Sequence, residues 1–240
     1  MPSPLFYATL APYYDKIYHF IDYEQQAQHF RALIKKFKTT QNNNILDSAC
    51  GTGTHAVLLT QRGYRVTGLD LSIEMLNEAQ KKNATLNLIC GDMKKFPVHK
   101  SYGIILCYFN SILYNTTLQH FTTTLTEFSK HLDHGGLLIF DMVDKAIGTT
   151  PNKQKYVYHE DELMISFPPE WIYNAQKNVL ELDIAFTINN QSFHDHHIMG
   201  AFSFSEVEQT LKKMGFEILI VDKTIDPWTD KKALFVCRKE

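Results

Sequence analysis

From Asn44 onward the chain alternates short apolar runs with amphipathic stretches, and this alternation limits the fold more than any other feature. Runs rich in Ile, Leu and Val stand at Ile45–Ala49, Arg65–Asp70, Leu86–Cys90, Gly103–Phe109 and Leu137–Val143. Strands that are apolar nearly throughout are covered on both faces, which is the condition of a parallel sheet packed between helices. Helix candidates His55–Gln61, Ile73–Lys82 and Leu118–Leu132 lie between them. Ser72 is placed to cap the second, because a serine oxygen accepts from first-turn amides that lack partners.

The flanking segments read differently. Asp22 to Lys38 puts Phe30, Leu33, Ile34 and Phe37 on one helical stripe. From Tyr156 to Gly200 come looser strand patterns at Leu163–Phe167, Val179–Ile188 and His194–Met199. Turn material separates them at Pro168-Pro169, Asn174–Asn178 and Asn189-Asn190, so a small antiparallel layer is expected. Ser205-Glu-Val-Glu208 reads as a capping box opening a helix that stops at Gly215. Two last strands, Glu217–Val221 and Ala233–Arg238, joined through Asp226–Asp230, form an antiparallel pair at the sheet's end.

Three stations carry the chemistry. In Asn44-Ile-Leu-Asp-Ser-Ala-Cys-Gly-Thr-Gly-Thr54 a strand runs into Gly51 and Gly53 and a helix begins. Glycines let the backbone turn tightly against a ligand, and the helix amides face an anionic group. With Ala56 the loop also fits the dinucleotide fingerprint, so the glycines alone do not choose a ligand. Asp47, just ahead of the loop, suits a ligand with an amino group and a sulfonium better than a pyrophosphate. Asp70 ends the next strand, where a carboxylate can accept both hydroxyls of a ribose or, more plainly, cap the following helix. Gly91-Asp92-Met93 leaves the third strand, with a carboxylate for an adenine amine and an apolar surface beside it; alone it would read as a turn. Open α/β sheets bind ligands at successive strand ends of this kind.

Asp47–Gly53, Gly68–Ala79, Gly91–Met93 and Gly135-Gly136 together resemble the class I S-adenosylmethionine-dependent methyltransferases over residues 44 to 143 and the closing helix and strands. The resemblance implies an α/β, Rossmann-like seven-stranded sheet with the last strand antiparallel, helices on both faces and a small antiparallel β insertion after strand five. It implies S-adenosyl-L-methionine as cofactor, held by Tyr18, Asp47, Ala49, Cys50, Gly51, Gly53, Asp70, Leu71, Met75, Gly91, Asp92, Met93, Cys107 and Asn110. His134 stands where a proline usually precedes the Gly-Gly pair, at the sheet's far end.

Tyr13–Tyr18 and Tyr108–Ile112 narrow the likeness to small-molecule N-methyltransferases of glycine and amino sugars. In such enzymes the early tyrosines line the pocket and the β layer covers it. Residues 1–43 are then an N-terminal helical lid segment, 44–149 with 201–240 the cofactor-binding domain, and 150–200 the layer over the substrate. Tyr14, Tyr108, Asn110, His194 and His196 are the expected pocket residues, with Tyr14 and His196 the candidates for a base. Core packing competes as an explanation for the tyrosines, and a structural role for the histidines.

On a strand, His194 and His196 point one way while Asp195 and His197 point the other. A metal site needs convergent ligands, and no further pair offers them, so no metal is expected. The net charge of -2 and the scattered basic residues give no reason to expect nucleic acid. A nicotinamide dehydrogenase would need a Tyr-x-x-x-Lys pair on a core helix, whereas Tyr173 and Lys177 fall in the insertion. The other readings left standing are a methyltransferase of protein or RNA, and a cofactor-binding protein without transferase activity. Four dispersed cysteines read as buried free thiols, no apolar stretch reaches the ~18–20 residues of a membrane span, and the first residues lack a signal-peptide layout. A cytoplasmic enzyme acting on a small molecule, with a homodimer as an option, is expected.

Overall fold

The apolar runs become one sheet in the computed structural model, which describes residues 7–97, 100–149, 156–160, 163–188, 191–224 and 230–240. Strands β1 (Asn44–Ser48), β2 (Arg65–Asp70), β3 (Asn87–Cys90), β4 (Tyr102–Cys107) and β5 (Leu132–Val143) run parallel. A second sheet follows, formed in order by β6 (Tyr156–Glu160), β7 (Leu163–Asn174), β8 (Val179–Ile188) and β9 (Gln191–Gly200), all antiparallel. The chain then returns to the first sheet with β10 (Phe216–Asp222) and β11 (Lys232–Lys239). The order is β10-β11-β5-β4-β1-β2-β3, and β11 is antiparallel to both neighbours. Among the described residues this is the expected seven-stranded sheet with its last strand reversed.

Adjacent strand residues go to opposite layers. Leu46, Ile105, Leu138 and Phe140 pack in one core with α5 (Leu118–His131) and α6 (Phe204–Lys213), through Phe121, Leu125, Phe128 and Leu211. Ile45, Ile104, Leu106 and Ile139 pack in the other with α2 (Tyr23–Phe37), α3 (Thr54–Gln61) and α4 (Ile73–Lys82), through Phe30, Ile34, Leu59 and Ala79. The period-2 alternation of strands thus feeds two helical layers. A one-turn helix, α1 (Tyr14–Ile17), precedes α2. Ser72 caps α4 as expected, accepting from Met75 N–H at 3.0 Å.

Three expectations are corrected. The capping box is Ser203 with Glu206, not Ser205 with Glu208, because starting the helix at Phe204 buries Phe204, Val207 and Leu211 on one stripe. The Pro168-Pro169 pair does not end a strand: β7 runs through it, and the pairing with β8 slips between Ser166 and Glu170. Proline donates no ladder hydrogen bond, and a bulge is where a sheet tolerates that loss. The cysteines are free, with Cys107 and Cys237 buried, but Cys90 is exposed because β3 is the sheet's edge and no strand covers its outer side. Asn189-Asn190 and residues 226–229 of the closing join lie outside the described residues.

Candidate functional site

The strand order reverses direction at β1, which has β2 on one side and β4 on the other. The loops leaving β1 and β4 diverge there and open a crevice at the carboxyl ends of the strands. A cavity of about 730 Å³ occupies it.

The loop after β1 folds back on itself through left-handed residues at Ala49 (φ 62°), Gly51 (φ 55°) and Gly53 (φ 73°). A Cβ on Gly53 would stand 2.9 Å from that of Ala79, so glycine lets α3 pack on α4, whereas the space above Gly51 is open. Asp70 ties this loop to the next: one carboxylate oxygen accepts from Gly51 N–H at 2.8 Å and the other from Ser72 N–H at 2.9 Å. Asp70 thus braces the residue that caps α4 rather than capping the helix itself, and each of its oxygens keeps a second lone pair. Burial raises its pKa.

Asp47 is 3% exposed, and its Oδ2 has no hydrogen-bond partner among the described residues. Burial, then the neighbouring Asp70 charge, push its carboxyl up to about 7. A buried carboxylate oxygen without a donor fits a cationic amino group entering the cavity, because an unmet buried acceptor is costly. Asp92 accepts from Lys94 N–H at 2.8 Å and pairs with the Lys94 ammonium at 3.2 Å. Met93 stands beside it, its sulfur 3.5 Å from the Asn115 amide. Asp47, Asp70, Asp92 and Met93 thus line one side of the same cavity.

Across the cavity stands a wall of rings. Tyr14 and Tyr18 pack at 4.8 Å between centroids, Tyr18 meets Phe109 at 5.9 Å, and Tyr7 meets Tyr114 edge-on at 5.8 Å. Burial pushes Tyr18 up to about 12 and raises Tyr7, Tyr14 and Tyr114 well above the usual phenol range. These phenols stay protonated across the physiological range. His55 is held neutral among Tyr23, Phe30 and Tyr108; burial, with Lys82 nearby, pushes it down to about 3.

Of the residues singled out from sequence, Tyr14, Tyr18, Asp47, Ala49, Cys50 and Gly51 line the cavity, as do Asp70, Leu71, Gly91, Asp92, Met93, Tyr108 and His196. Gly53, Met75, Cys107, Asn110 and His194 do not. Met75 and Cys107 are fully buried in the core, and Gly53 is turned under the loop against Ala79. Asn110, at φ 58°, gives its N–H to Asp141 at 2.9 Å. His194 shares a face of β9 with His196 but sits exposed, two residues farther along. His196 Nδ1 lies 2.7 Å from Asp183, half exposed at the cavity's edge.

Sequence reasoning did not single out Tyr7, Tyr114, Asn115 or His120, which also line it. Nothing in the local sequence marks them; they meet only through the fold. Among the described residues no group of three or more His, Cys, Asp or Glu side chains is placed to hold a metal ion.

A family profile described as a methyltransferase domain matches residues 45–136. The chain is 31% identical over 120 residues to a dTDP-3-amino-3,4,6-trideoxy-alpha-D-glucopyranose N,N-dimethyltransferase of Streptomyces venezuelae, which covers half of each chain. It is 28% identical over 146 residues to a glycine/sarcosine N-methyltransferase of Aphanothece halophytica, covering 58% of this chain and 55% of that one. The chain thus spans about half the length of these two curated relatives. A putative methyltransferase of Geobacillus sp. (strain WCH70) matches end to end, 24% identical over 97% of this chain and 99% of its own. In fold, the crystal structure of Streptomyces venezuelae DesVI superposes with a TM-score of 0.82 at 24% identity, over 96% of this chain and 98% of that one.

Proposed function

We propose, from the methyltransferase-domain profile matched at residues 45–136, that the chain is an S-adenosylmethionine-dependent methyltransferase and that it methylates the nitrogen of a small-molecule amine. The observation that carries the reading is the cavity itself, with carboxylates at three successive strand ends on one side, Asp47 of them buried and Asp70 largely so, and a wall of neutral phenols on the other. Bound in it, S-adenosylmethionine supplies a methyl group on a sulfonium, open to in-line attack. The chain's own part is alignment and the exclusion of water, and alignment alone supplies on the order of 7–11 kcal/mol in well-oriented reactions.

Asp47 pairs with an amino group at the floor, and Asp70 and Asp92 hold the nucleoside. Tyr14 and Tyr18 present hydroxyls and ring faces to the acceptor; the hydroxyls orient an amine by accepting its N–H, and the faces suit a cation. His196, through its contact with Asp183, borders the same space from the second sheet. The described N-terminal segment from Tyr7 and strand β9, through His196 and Ile198, are read as the cover. The amine assignment draws on the relatives whose names specify N-methylation. An RNA acceptor is disfavoured by the net charge of -2 and the scattered basic residues, and cytoplasmic residence belongs to the same reading. Among the described residues no helix is long and apolar enough to cross a membrane.

The test is mass spectrometry of methyl transfer to a panel of glycine, sarcosine, ethanolamine and a dTDP-linked 3-amino sugar. N-methylated product from at least one amine is expected. Turnover confined to added alcohols or proteins overturns the amine assignment, and binding of NAD without binding of S-adenosylmethionine overturns the whole reading.

A further inference from the structure

Behind the ring wall, a chain of polar groups leads out of the cavity into the second sheet. The Tyr7 and Tyr114 hydroxyls, both at the cavity, are 2.9 Å apart. The Tyr114 hydroxyl is 2.7 Å from Nδ1 of His197. The other ring nitrogen, Nε2, is 3.3 Å from a carboxylate oxygen of Asp195. His197 and Asp195 are 2% and 5% exposed at their side chains, on the inward face of β9. Four groups from three separate segments, the N-terminus, the turn at Ser111–Tyr114 and β9, thus line up from cavity to carboxylate.

We propose that His197, acting through Tyr114 and Tyr7, takes up the proton that the acceptor amine must shed before it can attack. The inference rests on the amine reading above. A small aliphatic amine enters as an ammonium whose nitrogen has no lone pair. In the transfer, an ammonium N–H bond breaks and its electron pair stays on nitrogen as the nucleophilic lone pair. The Tyr7 oxygen receives that proton while its own passes to Tyr114, and the Tyr114 proton passes to Nδ1 of His197. The products are a neutral amine, two unchanged phenols and an imidazolium. After the product leaves, the proton returns along the same path to solvent.

The hydrogen-bond arithmetic allows this because each hydroxyl has one hydrogen. With His197 neutral, Tyr7 donates to Tyr114 and Tyr114 donates to Nδ1. With His197 protonated, both bonds reverse: Nδ1–H donates to Tyr114 and Tyr114 donates back to Tyr7. Nε2 lies 3.3 Å from the Asp195 carboxylate but is not aligned with it in a hydrogen bond. The carboxylate is thus a positioning residue through its charge: it favours the tautomer with the hydrogen on the Nε2 side, whose Nδ1 lone pair points at Tyr114. The phenols suit the path because burial keeps them protonated, so they pass a proton without storing a charge. Among the described residues, the titratable groups facing His197 are Tyr114 from the turn, Tyr7 from the N-terminal segment and Asp195 from its own strand. Leu182 lies across from it on β8, and Tyr14 stands behind Tyr7. His196, on the opposite face with Asp183, is outside this chain of bonds.

Two measurements test the proposal. The first is kcat/KM against pH for the amine that turns over in the panel, comparing wild type with His197→Asn and Tyr114→Phe. A relay lets the enzyme use the ammonium form, so the wild-type profile should be nearly flat between neutral pH and the pKa of the amine. Without the relay only free amine reacts, so both variants should climb about tenfold per pH unit there and lie about a hundredfold below wild type at pH 7, within the range of a general base. Variant profiles lower than wild type but parallel to it would mark a structural role and overturn the relay. The second needs no turnover: long-range proton–nitrogen spectra of the protein loaded with S-adenosylhomocysteine. Neutral His197 should carry its hydrogen on Nε2, and Asp195→Asn should mix the tautomers; a hydrogen on Nδ1 in the neutral ring overturns the proposal. If no amine in the panel is methylated, the amine reading fails and the relay falls with it, a result distinct from turnover with parallel profiles.

Discussion

Asp47 shows how much one buried carboxyl can govern. Its pKa, near 3.9 when the chain is unfolded, is pushed up to about 7 in the folded protein. Between those values the folded state holds a proton that the unfolded state has lost, so stability is fully present below pH 4 and falls as pH rises toward 7. The loss attributable to this group is on the order of 4 kcal/mol. A cation bound against Oδ2 reverses the preference, so ligand affinity should rise with pH up to about 7 and level off above it. Calorimetry with S-adenosylhomocysteine should show that slope in wild type. In Asp47→Asn the slope should vanish and binding at pH 7.5 should weaken by about 1.5–3 kcal/mol. Parallel pH profiles would remove Asp47 from the ligand. Asp47, Asp70 and Asp92 were legible in the sequence because each stands at or near the carboxyl end of an apolar strand run. Tyr114 was not, because its partners lie 107 and 83 residues away in the chain.

Elements were legible where burial on two faces left a continuous apolar run, as in β1, β4 and β5. They were less so where one backbone conformation had to be chosen among near-equals, as with Ser203 over Ser205. The hold on the N-terminal segment was not legible at all. The Lys82 ammonium, at the end of α4, pairs with Asp15 of α1 at 2.6 Å and donates to Thr52 at 2.8 Å and Thr54 at 2.6 Å. One side chain thus fastens α1 to the glycine loop and to the start of α3. The ion pair is half exposed and contributes little by itself, but Lys82→Ala removes three contacts at once and leaves Asp15 held by the hydroxyls of Thr52 at 2.7 Å and Thr54 at 3.5 Å. Amide hydrogen exchange over residues 14–18 should speed at least tenfold, about 1.4 kcal/mol of local opening, while α5 exchanges as before. Unchanged exchange in α1 would show that its aromatic packing suffices.

For the whole molecule, the cavity draws on the N-terminal segment, four strand ends of the first sheet and one face of the second. A ligand spanning these parts binds only the folded chain and stabilises it by mass action. At S-adenosylhomocysteine a hundredfold above Kd the gain is about 2.7 kcal/mol, which for a chain of this size should raise Tm by roughly 5–11 °C. NAD at the same concentration should leave Tm unchanged; an equal rise with NAD would contradict the assignment of the cavity. Global architecture was the best-read level of the sequence, since the order of strand and helix signals alone restricts the topology to a few choices.

The hold on Asn110 reaches to a strand much later in the chain. Asn110 keeps its left-handed turn by donating to Asp141, and Asp141, fully buried, is matched by the Lys232 ammonium at 3.0 Å. Lys232 opens β11, which inserts between β5 and β10. A chain without this strand therefore keeps every glycine and carboxylate of the loops around the cavity, yet leaves Asp141 buried without its counter-charge and the Asn110 turn without a settled anchor.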